Sequence, residues 1–275
     1  MANIGATTAF YKVETSLSRA NNEVAKSMER LATGKANANA GDRSSYVAMS
    51  DTFRMDFSAT KGGIKSAGVA MGYLETGMKV LDAASELVSR IQELAVLGAN
   101  DTNTTADNAA IDAESDALGK ELTRLIADAD YKGLTVFNGT SMELVLGGRG
   151  MSMNFGITAT NITGGTLAAL ATSSGTVVDP SAGGTGLTSL VEAAQAALNT
   201  ARVEAGSSYA AIESALNYIT DLTAQYELGY NIVNDVNFSM ETAHLAKNQI
   251  LQQAATAMLA QANQGQQSLL SLVQR

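Results

Sequence analysis

Apolar residues near the start of the chain recur at Phe10, Val13, Leu17, Ala20, Val24, Met28 and Leu31. Steps of three and four place them on one helix face as a heptad-like stripe. Gly34 and the stretch 35–42 interrupt it. A second stripe runs Ile64, Ala67, Met71, Leu74, Met78, Leu81, Ser85, Val88, Gln92, Ala95. It drifts at Gln92, where Ile91 and Leu94 take over the apolar face. Gly98 is a natural C-terminal breaker, and the Asn/Asp/Thr run 100–105 reads as a loop. A third stripe follows through Ile111, Ser115, Leu118, Leu122, Leu125 and Ala129. Two long helices joined by a short polar loop predict an antiparallel pair.

Residues 133–186 differ in kind. They hold 12 of the 25 glycines and are rich in Thr and Ser. The run Glu143-Leu144-Val145-Leu146 has strand character. The segment reads as a compact, solvent-facing β or irregular insert, or as a flexible linker. Helical spacing resumes from about Leu187, with Ile212, Leu216, Ile219, Leu222 and Tyr226. A final stripe carries Leu251, Ala255, Met258 and Ala262, then Leu269 and Leu272. The order is three helices, an insert, and two helices, with both termini returning to the same end of a rod.

Composition sharpens this picture. Trp and Cys are absent, Pro180 is the single proline, and aromatics make up 5% of the chain. Small apolar residues with almost no proline favour long helices over a wide, aromatic-filled core. The net charge of −9 argues against nucleic acid and anionic membranes as partners. The first residues have no basic segment and no long apolar run, so they do not form a cleavable secretory signal. Charge is also missing from particular places: residues 1–11 and 248–274 carry no charged side chain, and the latter hold eight Gln. A surface helix normally bears charges on its solvent face. Two uncharged amphipathic ends therefore predict burial against each other and against neighbouring copies; a low-charge helix at the edge of a monomer is the plainer alternative.

Catalytic chemistry is hard to assemble. His244 is the only histidine, there is no Cys and no GxSxG elbow. His244 reads as a packing or surface residue. Asp101, Asp107, Asp112, Glu114 and Asp116 follow no calcium-loop spacing and read as a helix start and a solvated acidic face. Gly147-Gly148-Arg149-Gly150 is not a phosphate-binding motif. The Asn-x-Ser/Thr triplets, at Asn103 and Asn138 among others, are expected by chance in a Thr-rich chain. No catalytic, cofactor or metal residue is expected.

Particular segments resemble a known family. MERLATGKANANAGDRSSYVAMS (28–50), SRIQELAV (89–96) and YKGLTVFNG (131–139) are similar to the N-terminal domain of bacterial flagellins, across roughly residues 15–140. NQILQQAATAMLAQANQ (248–264), followed by the ending LLSLVQR, resembles the flagellin terminal helix more specifically. Together the likenesses cover about three quarters of the chain. Arg43 and Tyr46 stand where the family usually has Asp and Gly, so contacts near that turn are expected to differ. The central insert is short, without the large outer domains of longer flagellins.

The resemblance implies a mainly α fold: a long antiparallel helical rod or coiled coil from both termini with a small β-containing central insert. It implies inner coiled-coil segments at 1–42 and 233–275, a second helical layer from 43–140 and 187–232, and an outer insert at 141–186. It implies a structural subunit that polymerises into the flagellar filament for swimming, with Phe10, Val13, Leu17, Val24, Leu31, Ile250, Leu251, Ala255, Met258, Ala262, Leu269 and Leu272 as subunit-packing residues. The alternatives are a hook–filament junction protein or a secreted helical adhesin or effector. Implied partners are copies of the same chain, flagellar cap and junction proteins, and an export chaperone at the C-terminal helix. A vertebrate Toll-like receptor would read a patch matching Arg90, Glu93, Leu94 and Glu114, although Gln92 and Leu97 vary from the commonest pattern. The implied location is extracellular, in the filament, reached through the flagellar type III channel without a cleaved signal.

Overall fold

The computed structural model describes residues 8–39, 41–158 and 187–273. Within them lie α1 (Thr8–Thr33), α2 (Ser44–Gly98), α3 (Thr105–Ala127), β1 (Asp130–Tyr131), β2 (Leu134–Thr135), β3 (Met142–Val145), β4 (Ser152–Phe155), α4 (Leu187–Asn234) and α5 (Phe238–Val273). The mainly α class with a small β portion is as the sequence predicts. The rest of the expected insert, 159–186, lies outside the described residues. The chain forms two compact units, one from Met1–Met55 with Gln225–Arg275, the other Asp56–Ala224. α2 and α4 contribute residues to both.

In the Asp56–Ala224 unit the core sits among α2, α3, α4 and the two hairpins. Leu74, Leu81, Val88, Ile91, Leu122, Leu198, Ile212 and Ile219 are fully buried, with Val136 and Ile157 from the β portion. The residues of α2 and α3, with Ile212 and Ile219, are positions of the predicted stripes, including the shift to Ile91 and Leu94; Leu198, Val136 and Ile157 are not among them. Each of these side chains, moved from water to the core, contributes roughly 1.5–3 kcal/mol.

α2 does not break at its internal glycines; three of them admit the β portion. A Cβ on Gly63 would sit 1.7 Å from the Leu146 carbonyl oxygen. One on Gly72 would lie 2.7 Å from the Tyr131 hydroxyl, and one on Gly77 would lie 2.7 Å from Ile157 Cδ1. Tyr73 then donates its hydroxyl to the Val136 carbonyl at 2.8 Å, and burial raises its pKa.

Both hairpins are antiparallel. β1–β2 turns on Lys132 and Gly133, both with positive φ (56° and 78°), the geometry of a two-residue hairpin. β3–β4 turns through Arg149 (φ 60°) and Gly150 (φ 78°). Arg149 there makes a bidentate ion pair with Asp56 of α2, at 2.9 and 3.3 Å. Asp56 is buried and Arg149 is not, so the arginine screens a carboxylate that would otherwise be left without a counter-ion.

α3 starts at a capping box. Thr104 Oγ1 accepts from the Asp107 amide, and Asp107 Oδ2 accepts from the Thr104 amide at 2.9 Å. The Thr104 hydroxyl also donates to that carboxylate, and these bonds hold Asp107 below the usual carboxylate range.

Candidate self-association surface

α1 and α5 pack against each other within the unit formed by the chain ends. They run antiparallel, because the end of α1 meets the start of α5: Arg30 faces Glu241 at 3.9 Å. A short backbone clasp secures this end. Ala36 donates to the Asn234 carbonyl at 2.6 Å, and Val236 donates to the Gly34 carbonyl at 3.0 Å. The Asn37 amide side chain reaches the Val233 carbonyl at 3.2 Å. Gly34 takes a φ of 70°, a conformation glycine adopts without strain, and so turns the chain out of α1. Sequence reasoning marked Gly34 as the interruption but not the clasp, which uses backbone groups and leaves no side-chain pattern.

The seam between the helices is narrow. On α1, Ala20, Val24 and Ser27 are buried, while Phe10, Val13, Leu17 and Leu31 are half-buried. On α5 the covered positions are Glu241, Leu245, Asn248, Gln252, Ala255, Leu259 and Ala262. Their steps alternate between four and three, a coiled-coil seam that includes Gln and Asn. Of the expected stripe, Ala255 and Ala262 face this seam. Leu251 and Met258 do not; with about 100° of rotation per residue they lie on its flank, and both are about half exposed. Ile250 is on the far face, 66% exposed. The sequence pattern missed Leu245 and Leu259 as seam residues, because apolar side chains occur on more than one side of α5. The side chains of Leu269 and Leu272 lie outside the described residues.

The unit therefore leaves large apolar groups uncovered: Tyr11 and Met28 on α1, Tyr46, Met49 and Met55 on α2, Leu228 and Ile232 on α4, and Phe238, Met240, Ile250, Leu251 and Met258 on α5. A single subunit rarely carries such a spread of exposed apolar groups without an interaction to cover them. The two departures near the turn also meet here. Arg43, at φ 36°, places its guanidinium over the Tyr46 ring at 5.5 Å, a cation–π contact that the usual Asp and Gly would not make.

The Arg90 cluster lies in the other unit. Arg90 bonds Glu93 at 2.7 Å and Glu114 at 2.9 Å, and all three are about half exposed or more. Leu94 is not at that surface: it is 2% exposed and belongs to the core. The expected four-residue patch thus presents three charged residues, with Leu94 packed within. His244 is exposed on α5. Among the described residues, no group of three or more His, Asp or Glu is arranged to hold a metal ion, and no helix is long and apolar enough to cross a membrane.

Residues 5–142 match the family model of the bacterial flagellin N-terminal helical region, and residues 188–273 match that of the C-terminal helical region. The chain is 27% identical to flagellin FlaB1 of Treponema pallidum, over 94% of this chain and 96% of that one. It is 28% identical to the flagellar filament 33 kDa core protein of Treponema phagedenis, with the same coverage. A flagellin of Halalkalibacterium halodurans is 24% identical, with 92% of each chain aligned. Both terminal helical regions are present and in order, and the helices at the two ends pack together. The chain belongs to the bacterial flagellin family: it is an extracellular structural subunit of the flagellar filament, and not an enzyme.

Proposed function

We propose that the subunit polymerises through the unit built by its two ends, with the apolar groups left outside the α1–α5 seam as contacts to neighbouring copies. The observation that supports this is the pairing of exposure with missing charge. Ile250, Leu251 and Met258 stand largely uncovered on a helix that carries no charged residue from 248 to 273. Val24 and Ala255 close the seam within one subunit, and Phe10, Val13, Leu17, Leu31 and Ala262 line its edges. Leu269 and Leu272 extend the same contact by resemblance. In this reading, 1–42 and 233–275 form an inner layer, 43–140 and 187–232 a second layer, and 141–186 the outer insert.

The family likeness supports further partners. Junction and cap proteins meet the filament at its ends, an export chaperone covers the C-terminal helix beforehand, and the chain leaves the cell through the flagellar type III channel without losing a signal segment. A vertebrate Toll-like receptor would contact Arg90, Glu93 and Glu114, with Leu94 supporting them from the core. Arg90→Ala should then lower activation of receptor-bearing cells by the monomer. A change in polymerisation alone would assign the cluster to subunit packing.

Self-association is tested by raising salt on the purified subunit and viewing the product by negative-stain electron microscopy. Long regular filaments are expected. Protein that stays monomeric at every salt concentration would favour a secreted effector and overturn the reading.

A further inference from the structure

The two units treat methionine differently. Met28, Met49, Met55, Met240 and Met258 all belong to the unit of the chain ends, and each is between 48 and 63% exposed. Met71, Met78, Met142, Met151 and Met153 all belong to the other unit, and each is partly buried against its hydrophobic core. There is no cysteine anywhere in the chain. Methionine is therefore its only sulfur, and no thiol within the protein competes for an oxidant.

We propose that these five exposed methionines are peroxide-oxidation sites of the unassembled subunit, and that their oxidation reversibly blocks polymerisation. The proposal rests on the reading that the unit of the chain ends carries the subunit contacts. The oxidant is hydrogen peroxide. The thioether sulfur attacks the outer peroxide oxygen and the O–O bond breaks. A new S–O bond forms, and the departing hydroxide takes up the proton released from the transferred oxygen, leaving water. Sulfur loses two electrons and the peroxide gains them.

The physical consequence follows from polarity. Methionine is a flexible apolar side chain that fills irregular gaps at contact surfaces. Its sulfoxide is polar and chiral. Covering it with a second subunit removes water from the sulfoxide oxygen, which costs free energy unless a donor is waiting. Met258 and Met240 sit on α5, whose neighbouring exposed groups Ile250, Leu251 and Phe238 are apolar. Once a filament has formed, the same five sulfurs would be covered, so sensitivity should belong to the free subunit.

The test uses the purified full chain. Subunits are treated with hydrogen peroxide, the excess is destroyed, and sulfoxides are mapped by peptide mass spectrometry before salt-induced polymerisation is measured by pelleting. Sulfoxide should accumulate at the five named methionines before Met71, Met78, Met142, Met151 and Met153, with loss of pelletable polymer. Treatment with the pair of methionine sulfoxide reductases that act on the two epimers should restore polymer. A variant combining Met28→Leu, Met49→Leu, Met55→Leu, Met240→Leu and Met258→Leu should polymerise despite peroxide. Where that variant misfolds, reductase rescue of the native chain decides. Oxidation spread evenly over the ten methionines named, or oxidised subunits polymerising as untreated ones do, would overturn the inference. Failure of untreated subunits to polymerise would instead reject the self-association reading.

Discussion

At the scale of single residues, glycine on α2 carries the least obvious information. In sequence a helical glycine is a weak point, about 0.5–1 kcal/mol worse than alanine. Gly63 and Gly62 are neighbours with opposite roles. A Cβ on Gly63 would overlap the Leu146 backbone, whereas one on Gly62 meets nothing within 4 Å. Gly63→Ala should therefore lower stability by about 1–3 kcal/mol or more, the usual cost of overpacking. Gly62→Ala should raise it by about 0.5–1 kcal/mol, the helix-propensity difference. Thermal unfolding of the two variants checks this, and equal shifts would contradict the close approach of the hairpin. No spacing rule separates these two residues, because the difference lies in Leu146, which the chain brings up 83 residues after Gly63. Leu94 illustrates the reverse case: the drift of the stripe pointed to its burial, while family likeness placed it in a surface patch.

At the scale of elements, the helices were legible and the short strands only partly so. The stripes of α1, α2, α3 and α4 each commit one face to a core, so a period near 3.6 shows through. β3 was visible as Glu143-Leu144-Val145. β1 and β2 are two residues each and hold by a turn at Lys132-Gly133, which is too little sequence for any alternation. α5 was recognised as a helix, but its seam was placed on one flank, because its apolar residues lie on several sides and amides replace charges.

The loop at 100–105 was expected; the capping box that ends it was not read from Thr104 and Asp107. That box makes α3 sensitive to acid. Asp107 is held below its ordinary pKa, first by the Thr104 hydroxyl and then by the Thr104 amide. Glu121 is lowered too, mainly by its bonds to Arg124. A carboxylate with a depressed folded pKa adds stability that is complete above its unfolded pKa and lost as pH falls through the folded value. Amide-exchange protection in the first turn of α3, taken relative to the intrinsic rate at each pH, should be greatest near neutrality and fall below about pH 4, where carboxylates protonate. Thr104→Ala should remove about 1 kcal/mol of local stability at neutral pH, as N-cap losses do. An unchanged exchange rate in that variant would show that the cap does not hold the turn.

For the whole molecule, assembly turns on what covers the apolar groups of the chain ends. The seam between α1 and α5 is one residue row wide on each helix, with Ala20, Ala255, Asn248 and Gln252 beside Val24, Leu245 and Leu259, so much of the apolar surface of the pair stays outside it. Covering an exposed Leu or Met fully contributes roughly 1.5–3 kcal/mol, and a filament repeats each such contact in every subunit. Met258→Glu tests this most directly. It places a charge in a stretch, 248–274, that has none. Buried without a partner, that carboxylate would cost several kcal/mol in every subunit. In the free subunit Met258 is half exposed, so the variant should fold with an unchanged helical circular-dichroism signal. Electron microscopy of the salt-treated Met258→Glu protein should then show no filaments beside abundant native ones. Filaments of normal number and form from the variant would contradict the claim that this face joins subunits.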